Sequence, residues 1–262
     1  MDETPLSFSH PAGHRIPAVL ATPTGDTQAI AILCHGFLST KNSSTNKALS
    51  RMLTERGIAT LRFDFWGQGE SLAPFERITV THVVDEAHAA LSWASANGYR
   101  HIGLVGSSFG GLVALLVAPR HPTLRALALK CPVPDFPELL RLEFGEAGMA
   151  EWQRSHTIPD VTGRTTDPVA LHYGFFEDCL RHSGYDAATH ITAPTLIVQG
   201  DEDELVPVTQ SQRLAAALAG PSRLEILTGA DHGFTKAGHF HQMTGLIVEW
   251  LSTHLLDGRP TT

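Results

Sequence analysis

The sequence predicts an α/β fold, a mostly parallel sheet with helices on both faces, on three observations. Short apolar runs alternate with amphipathic stretches along most of the 262 residues, the rhythm of strands joined by right-handed helical crossovers. Several runs are apolar throughout, as strands covered on both faces are. One of them ends in Gly106-Ser107-Ser108-Phe109-Gly110 and leads into a second apolar stretch, a strand, a tight turn and a helix. The chain has no internal repeat and no low-complexity linker, and its length suits one large domain with a substantial core. A single domain over 1–262 is therefore expected.

Residues 5–10 and 14–21 read as a strand pair joined at Pro11-Ala12-Gly13. Ala29 to Cys34 is a continuous apolar run and predicts a central strand. Ala48, Leu49, Met52 and Leu53 recur at helical spacing, which predicts a helix over 43–56 that stops at Gly57. A strand at 58–65, a helix at 81–96, a strand at 101–107, a helix at 109–119 and a strand at 124–129 follow. Residues 133–190 break the rhythm with prolines, irregular periodicity and a mild excess of aromatics: Phe136, Phe144, Trp152, Tyr173, Phe175, Phe176 and Tyr185. An insertion this long between two core strands predicts a small cap over the strand ends. A pair of surface helices with a private core is the alternative. The rhythm returns with a strand at 195–198, a helix at 207–219, a strand at 223–228 and a last helix at 240–255.

Composition narrows the function. The formal net charge is −8 and no basic run occurs, which speaks against nucleic acid or an anionic membrane as partner. The start, Met1-Asp2-Glu3-Thr4-Pro5, is acidic and lacks the apolar core of a signal peptide. No apolar stretch approaches the length of a membrane span. Cys34, Cys131 and Cys179 are too widely spaced for a disulfide framework or a CxxC site. They read as reduced, mostly buried thiols of a cytoplasmic protein.

The chemistry centres on Ser108, in the chain's only Gly-x-Ser-x-Gly. A serine at the tip of so sharp a turn takes a strained backbone conformation. The residues two before and two after it crowd together and need to be glycine or nearly so. Ser107 lacks those flanking glycines. A serine hydroxyl is a poor nucleophile until a base takes its proton, and the base needs orienting. Two polar clusters at the ends of later strands supply both types. One is Gly200-Asp201-Glu202-Asp203-Glu204-Leu205-Val206-Pro207, and the other is Gly229-Ala230-Asp231-His232-Gly233-Phe234. Both lie at the C-terminal ends of predicted strands, the edge that displays Ser108. Asp231 adjoins His232, and neighbouring side chains diverge. The N–H of Phe109, directly after the nucleophile, is placed to hold an oxyanion. His239 and His241 stand two apart and share no helix face with each other. With no HExxH and no paired cysteines, no metal is expected. Gly67-Gln68-Gly69 lacks the third glycine of a dinucleotide loop, so no cofactor is expected either.

Together with His35-Gly36-Phe37 and Arg62-Phe63-Asp64-Phe65-Trp66-Gly67-Gln68-Gly69-Glu70-Ser71, these motifs resemble those of serine α/β-hydrolases, most of all the small cinnamoyl or feruloyl esterases. The resemblance spans nearly the whole chain. It implies the α/β-hydrolase fold and a catalytic triad in the chain order serine, acid, histidine: Ser108, Asp203, His232. Asp203 is chosen over Asp201 and Glu204 because the family places its acid three residues after a glycine and ahead of Val-Pro. The resemblance also adds the N–H of Phe37 to that of Phe109 as oxyanion donors. The second block more usually reads RxDxxGHGxS, so Gln68 stands where a histidine is common, and Trp66 is bulky for its place. Both bear on subfamily and substrate rather than on the triad.

The implied reaction is hydrolysis of a carboxylic ester through an acyl-enzyme on Ser108. A thioester, lactone or acyl-peptide amide would use the same machinery. Trp152, Phe175 and Phe176 of the cap, with Phe234 beside His232, are the expected substrate-binding residues. The expected partner is a small ester, and the chain is compatible with a homodimer. A catalytically silent binding protein on the same fold is the alternative from another class; retention of both serine and histidine opposes it.

Overall fold

The computed structural model describes residues 2–10, 12–159 and 167–256. Pro11 of the first turn and 160–166 of the expected cap lie outside the described residues. An eight-stranded sheet carries the molecule, in the order β1, β2, β4, β3, β5, β6, β9, β10. Strands β1 (Asp2–Ser9) and β2 (Arg15–Thr22) form the hairpin, and β2 runs antiparallel to β4 (Ala59–Phe63). From β4 onward every pairing is parallel, through β3 (Ala29–Cys34), β5 (His101–Ser107), β6 (Ala126–Lys130), β9 (Thr195–Gly200) and β10 (Ser222–Leu227). This is the α/β-hydrolase fold with a mostly parallel central sheet.

The apolar runs work by two-residue alternation. In β3, Ile30, Ile32 and Cys34 enter one core cluster, while Ala29, Ala31 and Leu33 enter the other. Helices α2 (Val80–Ala96) and α3 (Phe109–Val117) cover the first face. Helices α1 (Ser44–Glu55) and α8 (Ala237–Leu256) cover the second. The oxygens of Ser43 and Thr79 cap the first turns of α1 and α2. The strand expected at 58–65 stops two residues early. Asp64 still donates its N–H to the Pro17 carbonyl of β2, and Phe65 turns away to donate to the His35 ring. No helix among the described residues is long and apolar enough to cross a membrane.

Between β6 and β9 lie α4 (Phe136–Ser155), the short pair β7 (Thr157–Ile158) and β8 (Val169–Ala170), α5 (Gly174–Cys179) and α6 (Gly184–Ala188). Helix α7 (Val208–Ala217) follows β9. Helix α4 is broken at Gly145, where φ is 61° and ψ 177°. The insertion has no private core: Phe136, Leu140, Met149, Trp152, Phe175 and Phe176 belong to the cluster that underlies the sheet. Asp178 of α5 locks it to α2 by accepting the N–H and hydroxyl of Thr81, each at 2.9 Å. Burial opposes ionisation of Asp178, yet His182, Thr81 and Arg181 together hold its carboxyl far below the usual carboxylate range.

Candidate active site

Ser108 sits at the β5–α3 junction with φ 54° and ψ −117°, a conformation that costs a non-glycine residue about 1–3 kcal/mol. The flanking glycines make the turn possible. A Cβ on Gly106 would lie 2.3 Å from the Gly110 carbonyl oxygen, and one on Gly110 would lie 2.4 Å from those of Cys34 and His35. The turn is pinned by the Ser108 N–H, which donates to the Lys130 carbonyl at 2.8 Å.

The β9 and β10 loops bring the other two residues to the serine. His232 Nε2 is 3.1 Å from Ser108 Oγ, and its Nδ1 is 2.8 and 3.0 Å from the Asp203 oxygens. Asp203 also accepts the N–H groups of Leu205 and Val206 and the Gln199 side-chain amide. Burial pushes its carboxyl up, but the hydrogen bond and charge of His232, the Val206 N–H and the Cys131 thiol outweigh this and hold it below its ordinary value. With Nδ1 donating to a carboxylate, Nε2 is left to accept the serine proton. The neighbouring acids are occupied otherwise. Asp201 accepts the Gly229 N–H at 2.6 Å, Glu204 accepts the His232 N–H at 3.0 Å, and Asp231 accepts from Thr235.

Residues 35–41 form the wall opposite. A Cβ on Gly36 would stand 3.5 Å from Ser108 Cβ, so this backbone runs alongside the nucleophile. His35 clamps the strand ends. Its Nε2 accepts the Phe65 N–H at 3.1 Å, which leaves Nδ1 to donate to the Gly36 carbonyl at 2.7 Å. Burial lowers its pKa to about 4, so it stays neutral. The second motif block turns out to be the scaffold of this loop. Buried Asp64 accepts both the N–H and the ammonium of Lys41, and Gln68 accepts the Ser39 N–H at 3.2 Å. Trp66 lies to the side, stacked on His82 at 4.2 Å. Phe37 and Phe109 stand edge to face, with ring centres 5.6 Å apart.

A cavity of about 880 Å³ opens above Ser108 and His232. Its apolar wall is Phe37, Phe136, Leu139, Leu140, Phe144 and Ile158; Ser39, Thr40, Asn42 and the start of α1 form its polar wall. The aromatics expected to bind substrate are not among its lining residues. Trp152, Phe175, Phe176 and Phe234 are all buried. Trp152 packs on Phe144, Tyr173 and Phe176 and donates its indole N–H to the Leu171 carbonyl at 2.7 Å. Phe175 stacks behind Phe37. The largest rings give most stability when wholly removed from water, and here they hold the floor on which the cavity residues stand.

Three contributors were not singled out from sequence. Gln199 interrupts an otherwise apolar strand, a legible signal, and its amide fixes Asp203 while its oxygen accepts the Ser211 hydroxyl at 2.7 Å. Cys131 reads as a core residue, yet its thiol faces the Asp203 carboxylate; burial pushes that thiol up to about 12. Lys130 ends β6 and donates to the His232 carbonyl at 2.5 Å. Cys131, Asp203 and His232 are metal-ligand types with donor atoms within 4.8 Å of one another. The Asp203 oxygens and His232 Nδ1 are already hydrogen-bonded to each other, so an ion would have to break that contact to enter. His239 and His241 are not in the group.

The site sits in a chain with many relatives of the same shape. A ferulic-acid complex of Est1E from Butyrivibrio proteoclasticus superposes with a TM-score of 0.84 at 24% identity, covering 96% of this chain and 100% of that one. An uncharacterized 31.7 kDa protein of Escherichia coli is 22% identical over 94% of this chain and 98% of its own length. A monoacylglycerol lipase of Xenopus laevis, abhd6-A, is 28% identical over 51% of this chain and 50% of that protein. The family model for the alpha/beta hydrolase family matches residues 31–246, and the chain belongs to that family.

Proposed function

We propose that the protein is a serine esterase acting through an acyl-enzyme on Ser108. The observation that carries this reading is the continuous chain of contacts from Ser108 Oγ to His232 Nε2 and from His232 Nδ1 to Asp203. His232 takes the serine proton as Oγ attacks the ester carbonyl. The oxyanion that forms is held by the N–H groups of Phe37 and Phe109, and the imidazolium by Asp203. Collapse expels the alcohol, which takes the proton from His232. Water, deprotonated by the same imidazole, then attacks the acyl-enzyme and releases the acid and Ser108. The reaction draws on no cofactor. An amphipathic cavity over the serine supports an ester with an apolar or aromatic portion, as does likeness to a protein that binds ferulic acid and to one named a monoacylglycerol lipase.

The test is fluorophosphonate labelling together with turnover of p-nitrophenyl esters of rising chain length and of methyl ferulate. The wild-type chain is expected to label and to hydrolyse at least one of them. Ser108→Ala is expected to abolish both while keeping its fold, since loss of such a nucleophile typically costs many orders of magnitude. Activity of Ser108→Ala within about tenfold of wild type would sink the assignment.

A further inference from the structure

Lys130 carries a charge that the proposed reaction does not use. The residue is 5% exposed, yet it lines the cavity beside Ser108 and His232. Its ammonium meets a carbonyl, that of His232, and the face of Phe234 at 5.3 Å. Among the described residues it makes no ion pair with a carboxylate. The nearby acids have other donors: Asp203 has His232 and Gln199, Glu204 has the His232 N–H, and Asp231 has Thr235, although it lies close enough to feel the lysine's charge. A buried ammonium without a counterion is costly in an apolar setting and is stabilised by an anion that reaches it.

Part of the cavity lining favours an anion as well. Ser43, Ser44 and Thr45 bring the start of the twelve-residue helix α1 to the same cavity, with no acidic residue in its first turn. Its first N–H groups carry the positive end of the helix dipole. Two carboxylates also line the cavity: Glu143, on α4 between Leu140 and Phe144, and Glu204, which the His232 N–H engages.

Resting on the esterase reading, we propose that the natural substrate is an anionic ester whose carboxylate sits at Lys130 while its carbonyl lies over Ser108. Because the Lys130 ammonium is hydrogen-bonded to the carbonyl of His232, whose ring reaches Ser108 Oγ, the carboxylate belongs within a few bonds of the scissile carbonyl. Two sources meet this description: a half-ester of a short dicarboxylic acid, with the charge on the acyl side, and an ester of a hydroxy acid, with the charge on the alcohol side. Lys130 is then a specificity-determining residue as well as a strut for the His232 loop.

The experiment is pH-stat hydrolysis of matched pairs. Monomethyl glutarate and monomethyl adipate are set against methyl pentanoate and methyl hexanoate for the acyl side, and acetoxyacetate against ethyl acetate for the alcohol side. In one arm the wild type is expected to favour the anion in kcat/KM by about tenfold or more, with the advantage shrinking as salt is added. Lys130→Met is expected to cut that ratio about tenfold, and Lys130→Arg to keep most of it. A strut alone would lower both members of each pair together. An unchanged ratio in Lys130→Met, or a wild-type preference for the neutral ester in both arms, overturns the proposal. If Lys130→Met does not fold, competitive inhibition of the wild type decides: glutarate or adipate is expected to inhibit better than pentanamide, and the reverse order overturns it. Serine-dependent hydrolysis of neutral esters with no anionic preference removes this proposal alone. Hydrolysis that survives Ser108→Ala removes the esterase reading beneath it.

Discussion

At the scale of single residues, the site is a set of donors aimed at one carboxylate. Asp203→Asn is expected to lower kcat by a few orders of magnitude, because the amide cannot hold the imidazole in the tautomer that leaves Nε2 free to accept. Asp201→Asn is expected to be mild, since Asp201 only ties the β9 loop to the Gly229 N–H. Kinetics of the two variants check the choice, and a reversed order of severity would move the acid to Asp201. Gln199 is a positioning residue with a sharper signature. Replacing it by Met removes a 2.8 Å donor from Asp203, which leaves the carboxylate more basic and the imidazolium more stable. The acid limb of the pH–rate profile is expected to move to higher pH, with kcat/KM falling about tenfold for a lost charge-assisted hydrogen bond. A fall in rate with an unmoved profile would assign Gln199 a purely structural part. The resemblance to the hydrolases, through the spacing of Gly200, Asp203 and Val206-Pro207, pointed to Asp203. Nothing local marked Cys131 or Lys130, because their roles depend on β6 lying between β5 and β9 in the sheet.

At the scale of elements, the strands and the place of the insertion were legible, and the packing within the insertion was not. Apolar runs such as Ala29–Cys34 and Thr195–Val198 have one stable use, a strand buried on both faces, so their places followed from composition alone. The insertion has no such redundancy. Aromatic content drew attention to Trp152, Phe175 and Phe176, whereas the break at Gly145 and the direction of α4 decide which side chains meet the cavity. Selectivity is therefore expected to reside in Phe136, Leu140 and Phe144. Truncating Phe144 to Ala is expected to change relative kcat/KM between short and bulky esters by roughly 10–200-fold, with activity on p-nitrophenyl acetate retained. Trp152→Ala is expected instead to cost about 3–5 kcal/mol of stability, read by denaturant unfolding, with the same ester preference in the molecules that remain folded. If Trp152→Ala shifts preference and Phe144→Ala does not, the assignment of wall and floor is inverted.

At the scale of the whole molecule, one buried acid joins three parts of the fold. Glu86 lies on the inner face of α2, between the hairpin, the second motif block and the core. Its carboxyl accepts the Trp66 N–H at 2.8 Å and contacts His14 Nε2 at 3.0 Å. Helical spacing alone did not mark it, because it occupies a position that reads as the edge of an apolar stripe, next to Ala87 and three residues after Val83. Burial pushes its pKa up from 4.5 to about 8, with the charges of Asp64 and Asp85 adding to the rise and the Trp66 N–H opposing it. His14 moves the other way, lowered by burial and by the charges of His10 and His82. Both shifts favour a neutral carboxyl donating its proton to a neutral imidazole over an ion pair. Between pH 4.5 and 8 the folded state holds a proton that the unfolded chain has released, so this group's contribution to stability is full at low pH and is lost as pH rises through about 8. Glu86→Gln keeps an acceptor for Trp66 and a donor for His14 but cannot ionise. Its stability relative to wild type is expected to climb between pH 5 and pH 9, by on the order of a few kcal/mol at most. Thermal unfolding of the two proteins across that range checks this. A difference in Tm that stays constant or narrows with rising pH would mean that Glu86 is ionised in the folded protein and that its pairing with His14 is an ion pair after all.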